Sequence, residues 1–142
     1  MTYIQDTNKI CRFGEKVFNV GECIPVVGVA VSIGRIQVSY WQELIAVATI
    51  AVGSFTLLSA LVLKKDEQTK EGCRKIVCLG AEQLLQGVLN TLHGYGVLIF
   101  SCATIGLGNA FLVIPHLMNK DKFGPYVRYG FLTEPNKVVT NK

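Results

Sequence analysis

Two long stretches without a charged residue constrain this chain more than any other feature of its sequence. The first, Leu44–Leu63, reads LIAVATIAVGSFTLLSALVL, and the second runs from Gln83 to Asn119. About twenty apolar residues at about 1.5 Å per residue cross a hydrocarbon core of roughly 30 Å. Both stretches are long enough to cross a bilayer as helices, so the sequence predicts an all-α integral membrane protein.

The composition supports this prediction and leaves one soluble alternative open. Half of the 142 residues are hydrophobic and 17% are charged, whereas about a quarter are charged in an average soluble domain. The alternative is a soluble helical bundle whose central helices are wholly buried. A chain of this size has few layers with which to cover such long helices on every side, so the membrane interpretation is favoured.

The glycines belong to an internal repeat. Residues 9–33 align with residues 75–99, and residues 48–66 align with residues 103–121. The aligned glycine pairs are Gly14 with Gly80, Gly21 with Gly87 and Gly28 with Gly94. Two matching blocks in the same order favour an internal duplication, although apolar, glycine-rich sequences also align by chance.

The duplication predicts two helical hairpins, which would supply two to four membrane segments. The first hairpin unit would comprise residues 1–66, the second residues 67–122, and a polar C-terminal tail residues 123–142. The basic residues cluster at 9–16, 64–75 and 120–128. Two hairpins would place all three clusters on one side of a membrane, in agreement with the positive-inside bias.

Turn signals suggest where each hairpin reverses. In the second unit, the sequence HGYG at 93–96 predicts a tight turn between helices of about Ile76–Leu92 and Val97–Met118. In the first unit, Pro25 predicts either a kink or the start of a turn.

The repeated glycines predict close helix packing. Residues at a spacing of seven lie nearly on one line along a helix, because seven residues complete almost two turns. We therefore expect one groove in each unit, into which the second helix of that unit would pack closely. The two grooves would consist of Gly14, Gly21 and Gly28 in the first unit and Gly80, Gly87 and Gly94 in the second.

Polar residues inside the apolar segments are candidates for function, because polar groups are costly in hydrocarbon. These intramembrane candidates are Glu22, Glu82, Gln83 and Gln86. They would either bond one helix to another or line a path for a proton or a small solute.

The sequence shows no signature of catalysis or cofactor binding. It lacks a phosphate-binding loop, an HExxH zinc pattern, a nucleophile elbow and a dinucleotide-binding glycine pattern. The five cysteines form no zinc-type pair, and no basic stripe alternates with stacking aromatics. We therefore expect no enzyme, no catalytic residue, no metal, no cofactor and no nucleic-acid partner.

One short region resembles a known group of proteins. The run Glu22–Gly28, ECIPVVG, followed by Ile33–Ile36, IGRI, is similar to runs in small hydrophobic membrane proteins of chlamydiae. The paired apolar arms also resemble the bilobed hydrophobic domain of chlamydial inclusion-membrane proteins. The resemblance covers about residues 17–63, and the second unit departs from it with Thr91 at the position of Pro25. It implies placement in an inclusion membrane, with the tails exposed to host cytosol.

The expected function is that of a small, non-enzymatic, multi-pass membrane protein that acts as a scaffold or interaction module. Its membrane would be a bacterial inner membrane or a chlamydial inclusion membrane. Its partners would be the lipid bilayer and, through the tails, a second copy or another protein. The alternative is a small transport component or pore lined by the four polar candidates, and the third interpretation is the soluble helical bundle.

Overall fold

The computed structural model describes residues 2–125 and 127–133. This part of the chain is all-α, which confirms the all-α part of the predicted fold class. No β-strand occurs within the described ranges. The elements are α1 (Thr2–Glu22), α2 (Val27–Val62), α3 (Glu67–Ala103), a 3-10 helix (Leu107–Leu112) and α4 (Val113–Met118). The C-terminal segment, defined here as residues 119–125 and 127–133, has no regular helix.

Helices α2 and α3 form a long antiparallel hairpin that is closely packed through small residues. A Cβ atom added to the α3 glycines would lie within 3.4 Å of α2 backbone carbonyl oxygens. The pairs are Gly80 with Ala46, Gly87 with Ser39 and Gly94 with Ser32. Both helices therefore carry small buried residues at a spacing of seven, which lets the two backbones approach each other.

Capping groups define the turn between α2 and α3. Lys64 adopts a left-handed conformation with φ of 50°. The Lys65 N–H donates to the Ala60 carbonyl at 2.9 Å, and the Lys64 N–H donates to the Leu61 carbonyl at 3.2 Å, which is the Schellman pattern. Asp66 then accepts from the Thr69 N–H and acts as the N-cap of α3. The hairpin therefore reverses within a few residues.

Helix α1 folds back along the N-terminal half of α2. It ends at Glu22, and the chain reverses through an exposed turn that contains Pro25 before α2 begins at Val27. Gly21 lies against the side chain of Val31, with 3.0 Å between the position of a Gly21 Cβ and the Val31 methyl carbons. Of the two predictions made for Pro25, the turn is the one observed.

The predicted second hairpin is wrong. Helix α3 continues through HGYG at 93–96, because Gly94 provides room for Ile36 of α2 there and makes no turn. The predicted helix Val97–Met118 is broken as well. The Gly106 N–H donates to the Ser101 carbonyl at 2.7 Å, and this second Schellman turn ends α3 at Ala103. The partner of α3 is therefore α2 and not a later helix of its own unit.

The predicted first glycine groove is also wrong. Helix α1 ends before Gly28, so Gly14, Gly21 and Gly28 do not share one helix. Gly28 instead lies beneath Asn109, and a Cβ at Gly14 would meet no heavy atom within 4 Å. The second groove does face a long helix, but that helix is α2.

One described helix, α2, is long and apolar enough to cross a membrane. Signal sequences and the core helices of soluble proteins share this length and composition. However, a core helix is mostly buried, whereas 17% of the most apolar window of α2 is buried. The described residues therefore contain one helix that is a candidate for spanning a membrane.

The two uncharged stretches are staggered within the hairpin. Gly53 of α2 lies against Ile76 and Val77, and Gly80 lies against Ile50. The apolar run Leu44–Leu63 therefore runs beside the charged beginning of α3, and the uncharged half of α3 runs beside the N-terminal half of α2.

Candidate functional site in the buried polar core

The distribution of polar and apolar side chains is the reverse of that in a soluble domain. The largest fully buried side chains among the described residues are all polar, namely His116, Glu22, Glu82, Asn19, Asn109, Ser32, Ser39 and Ser101. Large apolar side chains such as Phe55, Leu44 and Ile99 are between 61% and 70% exposed. Soluble proteins bury such apolar groups and expose the polar ones, so the core of this fold is polar and its outside is apolar.

An ion pair between Glu22 and Arg35 lies at the centre of the core. Arg35 Nε is 2.9 Å from Glu22 Oε1, and the two side chains are 3% and 0% exposed. Arg35 also donates to Asn19 Oδ1 and, at 3.1 Å, to Asn90 Oδ1. His93 Nε2 lies 3.1 Å from the second oxygen of Glu22. Helices α1, α2 and α3 each contribute to this cluster, so the pair joins all three.

A second carboxylate, Glu15, lies about two turns before Glu22 on α1. It accepts hydrogen bonds from Asn90 Nδ2 at 2.6 Å and from the Tyr129 hydroxyl. Burial raises the pKa of the Glu15 carboxyl above its ordinary value, and the hydrogen bond from Tyr129 acts in the opposite direction. Burial, together with the neighbouring Glu15, likewise raises the pKa of Tyr129.

Buried polar groups of α3 hold the C-terminal segment. Glu82 accepts from the Gly130 N–H and, at 3.2 Å, from the Thr133 hydroxyl. Gln86 Nε2 donates to the Val127 carbonyl at 3.1 Å. The closing sequence from Tyr129 onward predicts a short exposed tail, but Tyr129 and Gly130 are buried, whereas Phe131 and Leu132 are exposed. The bonds from this segment satisfy Glu82 and Gln86 in the core. Residues 134–142 of that predicted tail lie outside the described residues.

Amide groups extend the network toward the start of α1. Gln83 Nε2 donates to Asn8 Oδ1 at 3.2 Å, and Gln42 Nε2 donates to Gln83 Oε1 at 2.8 Å. All four polar candidates named from the sequence therefore lie in the core and have partners. Glu22 joins the ion-pair cluster, whereas Glu82, Gln83 and Gln86 contact the first turns of α1 and the C-terminal segment.

The chain reversal after α3 brings His116 beside His93, on the side of the core away from Asn8 and Gln83. The rings of His93 and His116 have centroids 6.5 Å apart, and His116 stacks on Phe123 at 5.4 Å. The break after Ala103 folds the chain back, so that His116 lies beside His93 although 23 residues separate the two in sequence. No group of three or more histidine, cysteine or acidic residues that would hold a metal ion occurs within the described residues.

A charged contact joins the outer flank of α1 to the C-terminal segment. Asp121 accepts from the Arg12 guanidinium and, at 2.8 Å, from Lys16 Nζ. These two donors hold the pKa of the Asp121 carboxyl below its ordinary value. All three side chains are more than a third exposed, so this contact has the character of a surface ion pair.

Several core residues were missed at the sequence level, including Glu15, Asn19, Arg35 and Asn90. The spacing of polar residues along the helices could have indicated them. Gln83, Gln86, Asn90 and His93 recur at intervals of three and four, which places them on one face of α3. Asn8, Glu15, Asn19 and Glu22 share a face of α1 in the same way. A polar stripe on an otherwise apolar helix predicts the contact face when the surroundings are lipid.

Comparison with known proteins provides no further constraint. No protein-family model, no curated protein and no solved structure matches this chain. The function proposed below therefore rests on the sequence pattern and on the geometry of the fold.

Proposed function

We propose that this chain is a small, non-enzymatic integral membrane protein that acts as a scaffold or interaction module. The observation that carries the proposal is the reversed distribution of side chains, with a hydrogen-bonded polar core and an apolar exterior. In water, exposed apolar area of this extent would be covered by association. In a bilayer, lipid covers it, and the polar groups are then most stable inside, where they bond to one another.

The surface of α3 supports a crossing by the whole α2–α3 hairpin. Between Lys75 and the end of α3 at Ala103, the charged residue is Glu82, which is buried. Residues 76–103 are about 42 Å long as a helix, which exceeds a hydrocarbon core of roughly 30 Å. The facing part of α2 carries two charged residues, Arg35, which is buried, and Glu43, which is half-buried and accepts a hydrogen bond from the Thr91 hydroxyl at 2.7 Å.

The other side of the molecule supports an interaction role. The exposed flank of α1 carries Lys9, Arg12 and Lys16, of which Arg12 and Lys16 pair with Asp121 of the C-terminal segment. The chain neighbours of Asp121, Lys120 and Lys122, are exposed. Charges of this kind are costly against lipid acyl chains. The proposal therefore places the back of the hairpin against lipid and the α1 side against a partner, either a second copy or another protein.

Extraction of membranes tests the proposal. Membranes from cells that express the untagged chain are washed with alkaline carbonate, and pellet and supernatant are compared before and after detergent. Retention until detergent is added is expected. Release by carbonate alone would contradict integration and favour the soluble helical bundle.

A transport component is the second candidate, favoured by the length of the polar core. From Gln83 to Ser101, the buried and half-buried polar residues of α3 extend over about 27 Å, which is close to the thickness of a hydrocarbon core. A proton leak in proteoliposomes that is lost in both Glu22→Gln and Glu82→Gln would favour this function. The absence of a proton leak in proteoliposomes with the wild-type protein would favour the scaffold.

The host membrane is part of the proposal and rests on the sequence resemblance. A chlamydial inclusion membrane would expose the polar side of the protein to host cytosol, whereas a bacterial inner membrane would not. Immunolabelling of infected cells, with and without permeabilisation of the inclusion, distinguishes the two placements.

A further inference from the structure

A cleft between α1, α2 and α3 is large enough to hold a small molecule. Its volume is about 730 Å³, within the range of about 300–1,000 Å³ that is typical of ligand pockets. Gly14 forms part of the α1 wall, and the space in front of it is open, because a Cβ there would meet no heavy atom within 4 Å.

The cleft opens at the apolar surface of the molecule. Its lining includes Ile10, Trp41 and Ile45, whose side chains are 72%, 64% and 63% exposed. Trp41 and Ile45 belong to the exposed apolar surface of α2, and Ile10 of α1 completes an apolar rim at the border between the two helices. A molecule that enters from a hydrocarbon phase would meet no charged side chain at this rim.

Polar side chains also line the cleft, in a wall that is otherwise mostly apolar. Glu15, Arg35, Gln42, Asn90 and Tyr129 all contribute to the lining. An apolar rim combined with polar groups further in matches an amphiphile, with its chain between α1 and α2 and its head group at the core.

The charges at the inner wall favour an uncharged head group. Arg35 is already paired with Glu22 and bonded to two asparagine side chains. Glu15 already accepts from Asn90 and Tyr129. An anionic head would lie beside the Glu15 carboxylate, with no cation in the lining left to compensate it. A hydroxyl or carbonyl head would instead exchange hydrogen bonds with amide and phenol groups.

We propose that this cleft binds an uncharged single-chain lipid with a hydroxyl or carbonyl head group. The route of entry from the hydrocarbon phase rests on the membrane placement proposed above. The binding itself rests on the cleft alone, so it is measured in detergent, independently of carbonate extraction. A negative result in the binding assay therefore does not affect the result of carbonate extraction, and a negative extraction result does not affect the binding assay.

Photolabelling tests the proposal. The probe is a long-chain alcohol that carries a diazirine in its chain, added to the detergent-purified protein, and the adducts are mapped by peptide mass spectrometry. We expect adducts within residues 7–18 of α1 and 38–49 of α2, and competition by the unlabelled alcohol. Adducts that are spread over the outer faces of α2 and α3, without competition, would overturn the proposal.

Matched glycine variants separate filling of the cleft from general effects. Gly14→Leu places a side chain in the open space of the cleft, whereas Gly96→Leu adds the same side chain on α3, also at a position with no heavy atom within 4 Å and away from the cleft. We expect competable labelling to fall about tenfold, equivalent to 1.4 kcal/mol, in Gly14→Leu and to persist in Gly96→Leu. Equal labelling of both variants would refute cleft binding.

A second probe tests the head group. A fatty acid with the same chain and the same diazirine, used at a pH at which it is ionised, should label the cleft less than the alcohol does. Equal or stronger labelling by the fatty acid would overturn the preference for an uncharged lipid.

Discussion

Replacing Arg35 by methionine should destabilise the protein strongly, because it would leave a buried carboxylate without its partner. Glu22 is 0% exposed, and its Oε1 atom lies 2.9 Å from Arg35 Nε. Removing one member of a buried pair typically costs about 3–5 kcal/mol, whereas an exposed pair contributes about 0–1 kcal/mol. Arg35→Met would also take away the hydrogen bonds to Asn19 and Asn90. We therefore expect a loss of at least about 3 kcal/mol in the free energy of unfolding.

The assay is unfolding of the detergent-solubilised protein by titration with sodium dodecyl sulfate, followed by circular dichroism. The matched control is Lys75→Met. Lys75 pairs with Glu71 at 2.7 Å, but the two side chains are 43% and 66% exposed. The control should leave the free energy of unfolding nearly unchanged, because solvent screens an exposed pair.

A double variant completes the test. Glu22→Gln combined with Arg35→Met removes both charges, so its cost should be smaller than the sum of the two single costs, with a coupling of about 0.5–3 kcal/mol. If Arg35→Met costs no more than Lys75→Met, or if the single costs simply add, the pair does not hold the core together and the reasoning fails.

Three further predictions concern the packing and the C-terminal segment. Gly80→Ala should lower the free energy of unfolding by about 1–3 kcal/mol, because its Cβ would lie 2.7 Å from an isoleucine side chain. Gly72→Ala, in open space, should raise it by up to about 1 kcal/mol, and equal effects in the same titration would contradict close packing. The Arg12 guanidinium, followed by Lys16, lowers the pKa of Asp121 in the folded state, so this contact stabilises the fold above the unfolded pKa of about 3.9. The stabilisation is lost as pH falls below that value and through the lower folded pKa. Proteolysis of the C-terminal segment should therefore rise over that range, by less than about 1 kcal/mol of opening energy, and Asp121→Asn should abolish that rise. Glu82→Ala, which removes two acceptors, should expose the same segment to protease at neutral pH, and unchanged cleavage would show that other contacts hold it.

Local sequence signals predicted the helices better than their partners. The turn at Pro25 was one of the two outcomes predicted from a rule about proline that needs only neighbouring residues. The predicted helix start at about Ile76 was wrong, since α3 begins at Glu67, where Asp66 caps it. The error at HGYG has a physical origin. Glycine serves both to end helices and to bring them together, and the choice depends on whether another helix lies opposite. At Gly94 that helix is α2, which lies far away in sequence.

The buried site was predicted in part. Glu22, Glu82, Gln83 and Gln86 stand out as polar residues among apolar ones, and all four lie in the core. Their partners were harder to find, because a polar residue near a helix end, such as Glu15, is equally compatible with solvent. The small residues of α2 were also missed, since serine and alanine at a spacing of seven attract less notice than glycine does.

The stagger of the α2–α3 hairpin has a consequence for any flat bilayer around it. Because Leu44–Leu63 lies beside the charged beginning of α3, one helix offers apolar side chains at the height where the other offers lysine and arginine. This is a hydrophobic mismatch within a single molecule, which a bilayer accommodates by tilting the hairpin or by thinning locally. The long side chains of Lys70 and Arg74 would then reach toward the headgroups while Phe55 and Leu58 remain in hydrocarbon.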